Sequence, residues 1–205
     1  MAPDVILASA SPARRALLLR AGITPEIIVS GIDEETPELL AMSPTELAYE
    51  LALRKGSAIN PGRSDGYIIA CDSVFELDGI AYGKPGTPQI AKERLQQMSG
   101  RTGTLHTGHA LINIASGHVE RALTSTDVTI VEMSEAEIDA YIATGEPLQV
   151  AGAFTIDSLG GPLVARISGD PSNVEGLSLP TLRELFARFG VGWETFLTQL
   201  SERAV

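Results

Sequence analysis

Apolar residues come first as short unbroken runs and then at helical spacings. Val5-Ile6-Leu7-Ala8 is an apolar run of strand length. In Ser9-Ala10-Ser11-Pro12, Ser11 is a good N-cap and Pro12 suits the first helical position. Leu17, Leu18 and Leu19 then form the apolar face of a helix that ends before Gly22, and residues 26–29 read as a second strand. Ser43-Pro44-Thr45-Glu46 is a capping box. The helix it opens carries Leu47, Leu51 and, less regularly, Leu53 on its apolar face, with Lys55 near its C-terminal end. A strand over residues 67–71 stops at Asp72, and residues 74–77 and 80–82 flank Asp78-Gly79, a hairpin signal. Thr87-Pro88 opens a helix with Ile90, Leu95 and Met98 on its buried side, closed by Gly100. Residues 107–114 and 124–133 read as strands, and a second capping box at Ser134 and Glu137 starts a helix to Ala143. A strand over 163–167 and a helix over 180–189 complete the pattern.

Strands alternate with helices early, and antiparallel strands cluster in the middle, which predicts a mixed α/β fold. The 205 residues suit one large domain or two closely packed lobes, with an inner lobe predicted near residues 60–150. A net charge of −11 leaves no global basic surface for nucleic acid, so a phosphate ligand must be met by a local basic cluster or a metal. No window approaches the roughly 20 apolar residues of a membrane span. The opening residues do not read as a signal peptide. Cys71 is the only cysteine, which forbids an intramolecular disulfide and fits a reducing, cytoplasmic setting.

Four stretches can carry chemistry. Ser9, Ser11, Arg14 and Arg15 sit at a strand-to-helix turn, where free backbone N–H groups favour anions and Arg14 can clamp a phosphate; plain capping with solvent-facing arginines is the competing reading. Asp33-Glu34-Glu35 is a loop whose carboxylates can hold Mg²⁺ or simply be solvated. Asp72, beside Cys71 and Ser73, can bind metal or take a proton from water, or cap a turn. Gly83-Lys84-Pro85 offers a close backbone and a point charge for phosphate. Neither a P-loop nor a Gly-x-Gly-x-x-Gly occurs. His106, His109 and His118 match no zinc spacing and read as strand or surface residues, Cys71 as core, and Trp193 as packing.

The order of these pieces is more specific than any one of them. The run Leu7-Ala8-Ser9-Ala10-Ser11-Pro12-Ala13-Arg14-Arg15, then Ile32-Asp33-Glu34, Lys55, Asp72, Gly83-Lys84-Pro85, Ser99-Gly100-Arg101-Thr102, Thr107-Gly108 and Gly152-Ala153-Phe154 resembles the Maf family of nucleotide pyrophosphatases. The resemblance covers about residues 5–190. It implies an elongated mixed sheet flanked by helices, two lobes with a central cleft, and frequent dimers. It also implies hydrolysis of a nucleoside triphosphate to the monophosphate and pyrophosphate, with a divalent cation such as Mg²⁺ or Mn²⁺. By this likeness Arg14, Lys55 and Lys84 hold the triphosphate, and Glu34 and Asp72 serve metal and water, with Asp72 as the favoured base. Maf proteins are also linked with inhibition of septum formation, so a non-catalytic nucleotide-binding regulator is the alternative, and a phosphatase releasing orthophosphate a third reading.

Three positions that divide the family by base, between dTTP/UTP and 7-methyl-GTP hydrolases, correspond to Ala13, Ser73 and Asp157 and match neither pattern. A carboxylate only accepts hydrogen bonds, and a guanine edge offers two adjacent donors, so Asp157 favours a guanine-like base if it touches one. Gly103 stands where the family commonly has histidine.

Overall fold

The computed structural model describes residues 2–203, with side chains to residue 198. In chain order the elements are β1 (Val5–Leu7), α1 (Pro12–Arg20), β2 (Glu26–Ile27), α2 (Pro37–Leu40), α3 (Pro44–Ser57), β3 (Tyr67–Leu77), β4 (Ile80–Tyr82) and α4 (Pro88–Met98). There follow β5 (Thr102–Asn113), β6 (Val119–Ile130), α5 (Glu135–Ala143), β7 (Val164–Ser168), α6 (Pro171–Val174), α7 (Leu179–Arg188) and α8 (Glu194–Arg203). One-turn 3₁₀ helices lie at Glu146–Gln149, Ala151–Ala153 and Gly161–Leu163.

A single mixed sheet organises the chain in the order β2-β1-β3-β5-β6-β7. β1 pairs in parallel with β2 and β3, and the remaining pairs are antiparallel. Local chemistry behaves as the pattern predicts at the caps: Ser11 accepts from the Arg14 N–H, and both capping boxes form. Asp78 and Gly79 make the hairpin turn with φ of 54° and 79°.

Several expectations need correction. The strand beginning at Tyr67 does not stop at Asp72 but runs on to Leu77, with Asp72 in its middle. β5 pairs with it from Tyr67 to Glu76, and that long ladder carries the strand through two polar residues. α3 is buried through Ala48, Leu51, Ala52, Lys55 and Gly56, while Leu47 and Leu53 are only half-buried. Small residues face the sheet because the helix lies close to it: a Cβ on Gly108 would fall 2.1 Å from the Ala48 carbonyl oxygen. Ile90 is exposed; Ala91, Leu95 and Met98 form the buried side of α4. Leu163 ends a 3₁₀ turn just before β7. The short helices α2 and α6, and α8, lie outside the sequence expectation.

The buried side chains form two large clusters on one face of the sheet. One gathers β1, α1, the start of β3, α7 and α8 around Phe186 and Phe196, with Trp193 packed on it. The other gathers the end of β3, β4, α4, β6 and α5 around Phe75 and Leu95. The clusters part between Cys71 and Phe75 on β3 and between Leu105 and Leu111 on β5. A smaller cluster, with Ile6, Ile68, Ala70 and Ile112, lies under α3 on the opposite face. Among the described residues, no helix is long and apolar enough to cross a membrane.

Candidate active site

The seam between the two clusters is polar, and the strand register explains why a site forms there. β5 covers one edge of β3 from Tyr67 to Glu76. The other edge is shared by two short strands, β1 opposite Tyr67–Ile69 and β4 opposite Phe75–Leu77. Between Ile69 and Phe75 that edge has no neighbouring strand. β1 runs parallel and β4 antiparallel to β3, so both aim their carboxyl ends into this gap. Ser9 and Ser11 follow β1, and Gly83-Lys84-Pro85 follows β4. Two stretches some 70 residues apart in sequence therefore flank Asp72.

Side chains alternate across a strand, so Asp72 turns toward α3 and Ser73 toward α1 and α7. On the α3 side, Lys55 Nζ lies 2.5 Å from Asp72 Oδ1 and 2.8 Å from Glu34 Oε1. Lys55 and Asp72 are both buried, and Glu34 is the exposed member, reaching in from the loop before α2. Burial pushes the Asp72 carboxyl above its ordinary range; Lys55 and Arg14 pull it down, and Glu34 adds to the rise. Gly56 and Gly108 let α3 settle onto the sheet, which brings Lys55 within reach of Asp72.

On the other side, Arg14 is buried, and three of its five N–H groups are bonded. Its Nε donates to the Gly176 carbonyl at 2.7 Å, one terminal nitrogen to Ser9 Oγ at 3.2 Å, and the other to Ser73 Oγ at 3.0 Å. Ser73 Oγ shares a further hydrogen bond with Thr107 Oγ1 at 2.9 Å. Behind this row, His109 Nε2 accepts from the Ser178 N–H at 2.9 Å. Burial, with the nearby Arg14 charge, holds the imidazole down to about 4, so it is neutral. Cys71 is core, and burial pushes its thiol up to about 12.

The structure thus draws together Ser9, Arg14, Ser73, Lys55, Asp72 and Glu34. Lys84 is exposed and forms no ion pair or hydrogen bond with any described residue; it follows β4, whose carboxyl end faces the gap. Arg15 and Asp157 are likewise exposed and unpaired among the described residues, and Ala13 is half-buried. Asp33 serves its own loop, accepting from the Glu35 N–H. Arg101 lies away from the seam and clamps Asp78 at the hairpin with two bonds of 2.7 Å. Gly103 has no room for a side chain: a Cβ there would lie 2.3 Å from the Phe75 ring. Sequence reasoning gave no role to Thr107 or the Gly176 carbonyl. A carbonyl 162 residues from Arg14 leaves no local signal.

Two carboxylate oxygens close to one ammonium also meet the needs of a small divalent cation, which takes one or two carboxylates and completes its shell with water and phosphate oxygens. Among the described residues, no group of three His, Cys, Asp or Glu forms a closed metal cage. The donor set therefore fits a cation shared with a substrate and does not fit a structural metal.

Comparison with known proteins shows the family. Residues 4–189 match the family model described as Maf-like protein. The chain belongs to the Maf family. Curated relatives named nucleoside triphosphate pyrophosphatase match it along nearly their whole length. The Salinispora tropica protein is 48% identical, covering 91% of this chain and 84% of its own. The Leifsonia xyli protein is 46% identical over 97% and 96%, and the Streptomyces coelicolor protein 49% over 92% and 91%. The mixed sheet flanked by helices agrees with this membership.

Proposed function

We propose that this Maf-family protein hydrolyses a nucleoside triphosphate between its α and β phosphates and releases pyrophosphate. It is a hydrolase of phosphoanhydride bonds. The observation that carries the reading is the buried Lys55–Asp72 pair, set in a gap of the sheet with Arg14 within electrostatic reach.

Arg14, Lys55 and Lys84 receive the triphosphate, and the Ser9 and Ser11 hydroxyls add donors at the start of α1. Arg14 arrives preoriented by Gly176, Ser9 and Ser73, so little side-chain freedom is lost on binding. Asp72 orients the attacking water and takes its proton; burial raises its proton affinity above that of an ordinary aspartate, which suits a base. Lys55 and Lys84 offset the charge that develops as pyrophosphate departs. Glu34 and Asp72 would hold a divalent cation such as Mg²⁺ or Mn²⁺, which would supply further neutralisation of that charge. Asp157, exposed and unpaired, is left to meet the base, and its acceptor-only chemistry favours a guanine-like edge.

The test is a screen of standard and modified nucleoside triphosphates with Mg²⁺ or Mn²⁺, scored separately for pyrophosphate and orthophosphate. Pyrophosphate release that vanishes in Asp72→Asn supports the proposal. Orthophosphate as the first product points instead to a phosphatase. Tight nucleotide binding without turnover points to a regulator.

A further inference from the structure

Glu146 takes no part in the residues assigned above, yet its carboxylate gathers more donors than any of them. Tyr141 Oη, Thr155 Oγ1 and the Gly160 N–H donate to Oε1 at 2.9, 2.6 and 2.9 Å, and the Leu159 N–H donates to Oε2 at 3.2 Å. Burial alone would raise its proton affinity, but hydrogen bonds from Thr155, Ser158, Tyr141 and Gly160 prevail and hold the carboxyl down to about 2. The group is therefore ionised at any working pH, and its bonds are charge-assisted.

The donors come from both ends of residues 155–160, so one carboxylate ties the loop that carries Asp157 into a closed form. The loop has little freedom elsewhere. A Cβ on Gly160 would stand 2.5 Å from Tyr141 Oη and 2.7 Å from the Thr155 carbonyl oxygen. Gly152 and Ala153 precede it with φ of 71° and 59°, a conformation that alanine keeps only where its surroundings impose it. Phe154 packs edge-on against Phe75, ring centroids 5.5 Å apart, three residues beyond Asp72.

The same turn reaches in the other direction. The Gly86 N–H donates to the Leu148 carbonyl at 3.0 Å, joining the Glu146–Gln149 turn to the segment that carries Lys84. The loop bearing Asp157 and the loop bearing Lys84 thus hang from one short strut, and Glu146 is its charged clasp.

We infer that Glu146 is a positioning residue for base discrimination: it fixes the Asp157 loop relative to the Lys84 loop, so that a nucleotide whose phosphates meet Lys84 presents its base to a rigid surface. The inference rests on the reading of the gap as a nucleoside triphosphate site. Loss of the clasp leaves the phosphate contacts in place and loosens the base contacts, so the effect falls on KM and on selectivity more than on kcat.

The experiment measures kcat and KM of the full chain and of Glu146→Gln and Glu146→Asp with UTP, dTTP, GTP, 7-methyl-GTP and ATP in the presence of Mg²⁺. Glutamine keeps the length but turns an amide N–H₂ toward the loop's own donors. The expected result for Glu146→Gln is a KM about tenfold higher for the best nucleotide and a preference for it over the worst about tenfold weaker, with kcat within about threefold. Glu146→Asp, which keeps the charge, recovers part of the preference. A folded Glu146→Gln with undiminished preference overturns the inference, and so does a loss of kcat equal for all nucleotides. If Glu146→Gln does not fold, Thr155→Val removes a single donor, and an unchanged preference there overturns it equally. A wild-type protein that turns over no nucleotide sinks the reading of the gap itself, whereas turnover with Glu146-independent selectivity sinks only the role of Glu146.

Discussion

Replacing Lys55 by methionine tests the electrostatics of the site most directly. Opposite unit charges 2.5 Å apart attract by about 7 kcal/mol at an effective dielectric constant of about 20. Desolvation of the two ions costs several kcal/mol each, so the intact pair is worth little net. Breaking it is different, because methionine fills the space and leaves Asp72, buried beneath α3, with its charge uncompensated on that side. Such a loss costs about 3–5 kcal/mol at neutral pH, a large share of the roughly 5–15 kcal/mol that holds a domain together. The pH dependence carries the sharper signature. Burial already raises the Asp72 carboxyl in the folded state, and removing Lys55 raises it further. A carboxyl whose folded affinity for protons exceeds its unfolded one stabilises the fold at low pH and ceases to do so as pH rises through the folded value. Lys55→Met therefore recovers stability relative to wild type as pH falls from neutral toward the ordinary carboxylate range, and Lys55→Met/Asp72→Asn lacks that recovery. Urea unfolding of wild type, both single variants and the double variant at pH 7 and pH 5 gives the coupling energy. A coupling below about 0.5 kcal/mol, or a penalty that does not change with pH, refutes the reasoning.

Three further outcomes follow from particular contacts. Gly108→Ala forces a Cβ against the Ala48 carbonyl, which lifts α3, costs about 1–3 kcal/mol in urea unfolding and lowers kcat by parting Lys55 from Asp72; unchanged stability would mean that α3 does not rest on this glycine. Lys84→Met leaves unfolding within about 0.5 kcal/mol of wild type, because Lys84 has no partner among the described residues, while kcat/KM falls more than about tenfold; equal turnover removes Lys84 from the site. His109 is held down to about 4, so its ring resonances in NMR stay those of a neutral imidazole from pH 7.5 to pH 5, and its contribution to stability fades as pH falls below the ordinary histidine range toward 4; a resonance that titrates near pH 6.5 contradicts the buried bond to the Ser178 N–H.

What the sequence discloses, and what it hides, follows the range of each interaction. The caps at Ser11, Ser43 and Ser134 and the Asp78-Gly79 turn are settled within three or four residues, and the chain builds them as the pattern predicts. Asp72 shows the limit. A polar pair after an apolar run reads locally as the end of a strand, yet β3 continues because β5, 35 residues further on, pairs with it throughout. The lack of a strand beside Asp72 is equally non-local, since it arises where β1 and β4 stop short from opposite sides. Arg14 presents a related case. Its place in the first turn suggests a solvent-facing cation, and only the Gly176 carbonyl and Ser73 make it a buried one.

The same geometry reconciles a chain of net charge −11 with a polyanionic substrate. Lys55 satisfies Asp72 and Glu34, so the carboxylates at the seam do not face the solvent as bare negative charge. Arg14 gives three of its five N–H groups to a carbonyl and two hydroxyls, which are neutral partners, and forms no ion pair with a described carboxylate. Lys84 adds a second cation that no described residue offsets. Many of the remaining acidic groups lie outside this seam, several of them closed in surface ion pairs such as Asp78 with Arg101 and Asp139 with Lys92, and exposed charges beyond about 10 Å are largely screened at ordinary ionic strength. Local sign therefore outweighs global sign at the gap. Raising the salt concentration should weaken nucleotide binding through Lys84, which stands in solvent, and leave the buried Lys55–Asp72 pair nearly untouched.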